Sequence, residues 1–450
     1  MMVGVDPSGG TPVGGESDDT PVDLEGFGLF DHMVQQDPHK YYGEMQRSAP
    51  LYEARAGGGR VGLVTRHADV LNLVRDPETF SSQMDTHAGA GGSELARRMR
   101  ELIDEEGGYL PVRTMLTADP PEHTRFRRLV SKAFTPRVVN GFEPMIRQRA
   151  AALADRLTPQ DSPGGEPVEF VSRFAVPFPV MVIAHALGVD DERLDDFKAW
   201  SDASIAGIGT NIGIEERLAA QRLVIDFQKY FAAQIEARRD HSTDDLLGSL
   251  VQARIGSDET DDQGRPIDDT PLTMGEMLSI VQQLLVAGNE TTTKLLTEAM
   301  RLLAEHPDQW QALRNDPGRA PQVIEEVLRL ATPTQGMYRV VTTDTEIGGC
   351  PVAGGSVAVA MFAAANRDPQ VFADPHRFDP DRDGLANHLA FGKGIHFCLG
   401  APLARLEARV ALEELVARFS MIEIVDPADL EYEPSFLLRG LRRLELRLSS

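Results

Sequence analysis

Only two of the 450 residues are cysteine, Cys350 and Cys398. Two cysteines cannot build a disulfide framework, so a stapled secreted scaffold is excluded and a reducing, cytoplasmic home is expected. Long apolar runs are missing as well. No stretch of about 18 apolar residues exists, which excludes a membrane-spanning helix and leaves no membrane anchor. The opening MMVGVDPSGGTPVGGESDDT has neither the basic start nor the apolar core of a secretory leader. Residues 1–22 are expected to be a disordered arm ahead of a single domain over 23–450. Positive charge is in short supply: 45 Lys and Arg face 69 Asp and Glu, a formal net charge of −24. Such a surface excludes nucleic acid as a partner and disfavours anionic lipid, and it keeps the chain soluble.

What is present reads mostly as helix, a mainly α (α+β) protein. DPHKYYGEMQRSAP opens after a proline and closes before one, and RVGLVTRHADVLNLVRDP reads as a short strand followed by a helix. GAGGSELARRMRELIDEEGGYLP is expected to be a long irregular, glycine-rich connection of the kind that forms lids or binding loops. The longest helix is expected to start at Thr273, whose pairing with Glu276 is a capping box, and to run to Pro307. Its roughly 32 residues would span about 48 Å. GSDETDDQGRPIDDTP, just before it, is read as a surface loop. Residues 337–368 alternate β-branched residues with Gly and Pro turns and predict a meander; LEYEPSFLLRGLRRLELRL predicts further strands.

The cysteine at 398 stands out by its neighbours. HLAFGKGIHFCLG surrounds it with Gly392, Gly394 and Gly400, which permit positive φ and a close approach of backbone to a flat group. A helical run, APLARLEARVALEELVARF, follows at once, so its N–H groups and dipole would favour a thiolate. No second cysteine is near, which does not suit structural zinc but does suit a single axial ligand to haem iron. Cys350, in the turn IGGCPVAGG, is read as structural.

FGKGIHFCLG, residues 391–400, resembles the haem-binding signature of the cytochrome P450 family in full. The resemblance implies that Cys398 is the proximal ligand of haem b, that Phe391 and Gly392 pack beside it, and that His396 approaches a propionate. VIEEVLRL is similar to the family's Glu-x-x-Arg pair, Glu326 and Arg329. Their third partner is expected in DPHRFDPDR, with Arg377 at the usual position and Arg382 as a second candidate; together they would lock the backbone behind the loop. DPPEHTRFRRLVSKAF places His123 and Arg127 four apart, and the resemblance assigns both, with Arg339, to the propionates.

LLVAGNETTTK carries Gly and Thr where a helix interior disfavours them. Close helix packing is one explanation. The other is a locally widened helix over an oxygen-binding iron, with Ala287 against the haem and Gly288 leaving room. The family's acid–alcohol pair falls on Glu290 and Thr291, which would deliver the protons that oxygen activation consumes. No role is evident for Asn289. The resemblance covers the chain from about residue 25 onward and implies the family's fold: a large helical domain with small β-sheets, the haem between the long central helix and the helix after the cysteine loop.

The implied activity is a monooxygenase that inserts one atom of O₂ into a C–H bond of a small hydrophobic substrate: a terpenoid, steroid, fatty acid or alkyl aromatic. Leu285, Ala287, Met337, Phe436 and Leu437 are the expected pocket residues. Electrons would come to a monomer from a ferredoxin and its reductase, docking on a basic patch of Arg125, Arg128, Lys132, Lys393, Arg405 and Arg409. Two alternatives stay open, a peroxide-driven haem–thiolate enzyme and a non-catalytic haem protein.

Overall fold

The computed structural model describes residues 22–24, 27–56, 59–83, 94–132, 134–157, 166–207, 212–241, 243, 245–255, 259–261 and 264–449. The arm expected over 1–22 falls, but for its last residue, outside them. Helix α1 (His39–Ser48) starts at Pro38 and ends before Pro50, burying Tyr42 and Met45. Strands β1 (Leu51–Ala56) and β2 (Gly59–Val64) form an antiparallel hairpin with Leu51 opposite Val64. Helix α2 (His67–Arg75) follows, with Val70, Leu73 and Val74 turned inward at helical spacing, and then the two-residue strand β3 (Phe80–Ser81).

The stretch expected to be an irregular connection contains a helix, α3 (Glu94–Glu106). Its glycines lie at the flanks and mask the pattern between them. Ala96, Leu102 and Ile103 are buried, and Met99, Leu102 and Ile103 meet Leu218 and Ile225. Next come α4 (Glu122–Ser131), α5 (Glu143–Asp155), the short strand β4 (Val168–Glu169), α6 (Pro177–Ala186), α7 (Leu194–Ile205) and α8 (Ile214–Asp240).

Helix α9 (Met274–Glu305) is 32 residues long. Thr273 caps it as expected: its hydroxyl accepts from Glu276 N at 3.3 Å while Glu276 Oε2 accepts from Thr273 N at 2.7 Å. It passes through both main cores. One packs Phe170, Phe174, Phe178 and Trp310 against α9 and two later helices, α10 (Ala320–Ala331) among them; the other packs Phe197, Trp200, Phe227 and Phe231 against its first half.

The expected meander is interrupted. Strand β5 (Met337–Val341) pairs not with its successors β6 (Thr345–Ile347) and β7 (Cys350–Val352), which make a hairpin of their own, but with β8 (Val357–Ala360). Gly348 and Gly349, at φ 57° and 82°, close that separate hairpin. β8 then pairs in parallel with β2, giving a five-stranded sheet in the order β1-β2-β8-β5-β3. After helix α11 (Ala401–Arg418), strands β9 (Met421–Ile424) and β10 (Glu445–Ser449) join β4 in a second sheet. Residues 431–441 hold only isolated bridges, Tyr432 to Leu441 and Thr334 to Leu438, rather than the strands expected there. No helix among the described residues is long and apolar enough to cross a membrane.

Candidate active site around Cys398

The cysteine loop turns on two left-handed glycines, Gly392 at φ 66° and Gly394 at φ 72°. Gly394 lies so close to the carbonyl of Val74 that no Cβ would fit. Main-chain bonds from Gly392 N to Leu389 O (2.9 Å) and Cys398 N to Phe391 O (2.9 Å) close the loop on itself. Cys398 precedes α11 by three residues, and N–H groups of Gly400 and Ala401 point at its sulfur. Burial pushes the thiol up; those N–H groups and the charges of Arg127 and Arg405 oppose this but do not overcome it. The helix start alone therefore does not make the thiolate that its sequence position suggested. A metal that displaces the proton would do so. Phe391 sits beside the cysteine under the guanidinium of Arg405, 4.5 Å from ring centre to carbon.

Behind the loop, Glu326 and Arg329 are fully buried and joined twice, at 2.7 and 2.8 Å. Arg329 also donates to the carbonyls of Asn366 (2.8 Å), Pro375 (2.7 Å) and Arg377 (3.2 Å). The third side chain is Arg382, not Arg377. Arg382 Nε stands 3.4 Å from Glu326 Oε1 with its side chain 6% exposed, whereas the Arg377 side chain is 68% exposed and contributes only its carbonyl. Arg377 precedes Phe378, which is buried, so its own side chain turns outward. Asn366 connects this network to the loop: its Oδ1 accepts from Leu389 N at 2.6 Å and its Nδ2 donates to Thr332 Oγ1 at 2.8 Å. Nothing in the sequence reading singled out Asn366, whose neighbours ANRDP carry no helical or strand period.

His123, Arg127, Arg339 and His396 converge from α4, β5 and the loop. The two imidazoles lie 4.4 Å apart, and the charges of His123, Arg339 and Arg127 all press on His396. Burial first, and these neighbours second, lower His396 to about 3; burial and Arg127 lower His123 to about 4. Burial also lowers Arg339 to about 10. Among the described residues none of the four has a carboxylate at ion-pair distance. Arg127 donates to Phe397 O (2.7 Å), Arg339 to Tyr338 O (2.7 Å), and His123 Nε2 is buried with no partner. Asp119 is the acid whose charge reaches His123 and Arg339, but its oxygens accept from Ser81 Oγ and Ser82 N. Ser82 Oγ meets His396 Nε2 at 2.9 Å. Buried donors and cations that lack an anion suit a ligand bearing carboxylates. With a lone thiol nearby, the donor set fits haem: Cys398 for the iron and this cluster for the propionates.

On α9, Ala287 is exposed in the midst of a mostly buried helix, and Thr291, one turn on, is half-buried. Both therefore border open space. The expected widening of the helix is not found. α9 is regular throughout, and Thr291 Oγ1 donates to Ala287 O at 2.8 Å. Gly288 serves helix packing instead of leaving room on that side: a Cβ there would stand 3.0 Å from Ile183 Cγ1 of α6. Glu290 is buried between Lys294 (2.8 Å) and Lys198 (3.6 Å). Burial raises its pKa, but the two ammonium groups prevail and keep it ionised below the usual carboxylate range. Asn289 donates to Ser201 Oγ at 3.0 Å, tying α9 to α7.

Not all expected pocket residues border that space. Leu285, two residues from Ala287, points the other way round the helix and is fully buried in the second core. Phe436 and Leu437, 7% and 8% exposed, belong to the core over β1 and β2, where Phe436 meets Phe30 and Tyr338 edge-on. Met337 is half-buried at the start of β5. The basic patch is also reduced. Arg125 is buried and bound to Glu276 (2.8 Å) and to the carbonyls of Thr270 and Pro271; Lys132, Arg405 and Arg409 are bound to Glu259, Glu325 and Glu143.

The model of the family described as Cytochrome P450 matches residues 82–443. The chain is 38% identical over 389 residues to the erythromycin C-12 hydroxylase of Saccharopolyspora erythraea, covering 85% of this chain and 87% of that one. It is 36% identical over 413 residues to the 6-deoxyerythronolide B hydroxylase of the same organism, covering 92% and 96%. Among solved structures, a cytochrome P450 from Chondromyces apiculatus superposes with a TM-score of 0.78 at 37% identity, over 94% of this chain and 98% of that one. Likeness of this extent, in sequence and in fold alike, makes the chain a member of the cytochrome P450 family and, with its hydroxylase relatives, an oxidoreductase of the monooxygenase kind.

Proposed function

We propose that this enzyme inserts one atom of O₂ into a C–H bond of a mainly apolar molecule in the cytoplasm, with two electrons from a ferredoxin and its reductase. The reading rests above all on Thr291, a hydroxyl beside the open space at Ala287 and next in sequence to a carboxylate held ionised by two lysines. Haem b, when bound through Cys398, supplies the oxygen chemistry. The chain's own contribution is to seat that group, exclude water and bring protons. His123, Arg127, Arg339 and His396 would anchor the propionates. Thr291 can hold a proton donor in place, since its hydroxyl both accepts and donates. Glu290 can pass protons inward from the Lys198 side, where Lys198 is partly exposed.

The substrate classes expected from the sequence, terpenoid, steroid, fatty acid or alkyl aromatic, suit the exposed apolar side chains of Leu110, Val112 and Leu116 in the segment before His123. The names of the two hydroxylase relatives add macrolactones to these. The test is turnover of the haem-loaded protein with NADH, a ferredoxin and its reductase under labelled dioxygen, across those five classes. One labelled oxygen atom in a product is expected. Label arriving from water, or product formed with peroxide but never with the electron-transfer proteins, overturns the reading. Cys398→Ser serves as the control and should abolish the thiolate-type spectrum of the ferrous–CO form.

A further inference from the structure

Ser279, Gln283, Ala287 and Thr291 recur every four residues along α9 and so lie on one stripe of it. The last two border open space. The first two hold a neighbouring stretch of main chain. Between α3 and α4 the chain runs through residues 108–121 without a strand partner among the described residues, and side chains hold it from the side. Gln228 of α8 accepts from Tyr109 N at 2.8 Å and donates to Tyr109 O at 3.0 Å. Ser279 Oγ accepts from Val112 N at 3.1 Å. Gln283 makes two bonds: its Oε1 accepts from Leu116 N at 3.2 Å and its Nε2 donates to Thr114 Oγ1 at 2.6 Å. Gly275, one turn before Ser279, leaves room for Val112, whose Cγ2 would stand 3.1 Å from an added Cβ. Residues 112, 114 and 116 thus step along the stripe toward Ala287. The step ends at Leu116, a large apolar side chain that is 50% exposed.

We propose that Gln283 is a positioning residue for substrate size: its side-chain amide fixes Thr114 and Leu116 at a set height over Ala287, with Leu116 as the apolar stop. The proposal rests on the reading that Ala287 borders the substrate space. Met115 and Ala118 anchor the segment in the second core and His396 bonds the main chain of Met115, but with no ladder bonds the residues that face the stripe are placed by their few side-chain ties. Gln283 supplies two of them, and nothing at its place on the stripe substitutes.

The experiment uses the ferric, haem-loaded protein titrated optically with imidazole and with 4-phenylimidazole, which bind iron alike and differ by one ring. Gln283→Met keeps length and volume but loses both bonds. It should tighten 4-phenylimidazole relative to imidazole by roughly three- to tenfold, the weight of one or two net hydrogen bonds. Gln283→Glu should restore the wild-type ratio, because a carboxylate accepts from both Leu116 N and the Thr114 hydroxyl. Thr114→Val removes one bond from the other end and should move the ratio the same way by less, which keeps the test open if the first variant folds poorly. A ratio unchanged within about twofold in Gln283→Met and Thr114→Val, or a change that Gln283→Glu does not reverse, overturns the proposal. Failure of the wild-type protein to bind imidazole at all would instead remove the haem–thiolate reading beneath it.

Discussion

Thr291 and Gly288 stand a turn apart on α9 and answer to different neighbours. Among the described residues the Thr291 hydroxyl has one partner, the carbonyl of Ala287, and a second direction faces the space at Ala287. Thr291→Ala should therefore leave folding intact and remove an ordered proton donor. Product per NADH is expected to fall, by as much as about 10²-fold, while oxygen uptake continues and peroxide accumulates. A measurement of NADH, oxygen, peroxide and product together checks it, and an unchanged product yield would take Thr291 out of the mechanism. The sequence AGNETT announces a site through residues that a helix does not favour, and to that extent the site is legible. It does not tell which of the small residues meets a ligand and which meets another helix. Gly288 proves to serve the contact with Ile183, because its direction is set by a 100° rotation per residue and by where α6 runs, and only the second is invisible in the sequence. Leu285, expected in the pocket, turns into the second core for the same reason.

At the scale of elements, the segment behind the cysteine is built as a buried polar network, and its members are not interchangeable. Arg382 is enclosed against Glu326, while Arg377 points to solvent and offers only a carbonyl. Arg382→Ala removes one of the two cations around Glu326 together with the bonds of Arg382 to the carbonyls of Asp374 and Arg377, and should cost about 2 kcal/mol, with loss of haem on purification. Arg377→Ala should change stability by less than about 0.5 kcal/mol. Thermal unfolding and the haem-to-protein absorbance ratio of both variants decide it; equal effects would contradict the geometry. The helices with strong caps, such as α9, are readable from sequence to within a residue, because Thr273 and Glu276 meet locally. The pairing of β5 with β8 across an inserted hairpin is not, since strand order depends on partners far along the chain. Asn366 is hidden for a like reason: both bonds of its side chain, to Thr332 and Leu389, reach residues distant in sequence.

Over the whole molecule, the net charge of −24 conceals a surface on which most arginines are already paired. That pairing explains why the expected basic face shrinks: Arg128 and Lys393 remain of it without an acidic partner in ion-pair contact among the described residues. The same pairing makes stability depend on acid. Burial works to raise Glu325, but hydrogen bonds from Arg405 and His388 prevail and lower it to about 2. A depressed carboxyl contributes stability that is complete above its unfolded value near 4.5 and fades as pH falls toward 2. The loss is on the order of 3 kcal/mol for this group. Urea unfolding at a pH of about 5 and of about 3 should show the larger part of that decline, roughly 2 kcal/mol, in the wild-type protein and a shallower one in Glu325→Gln; parallel declines would assign the acid sensitivity to other groups. One last consequence follows from Asn366, whose main-chain carbonyl accepts from Arg329 while its side-chain amide holds the backbone of the cysteine loop at Leu389. The seat of the pigment and the framework of the fold share a hinge-pin. Bleaching of the visible band and melting of the helices should then trace one curve on heating, so that the colour of the loaded protein serves as a thermometer of its architecture.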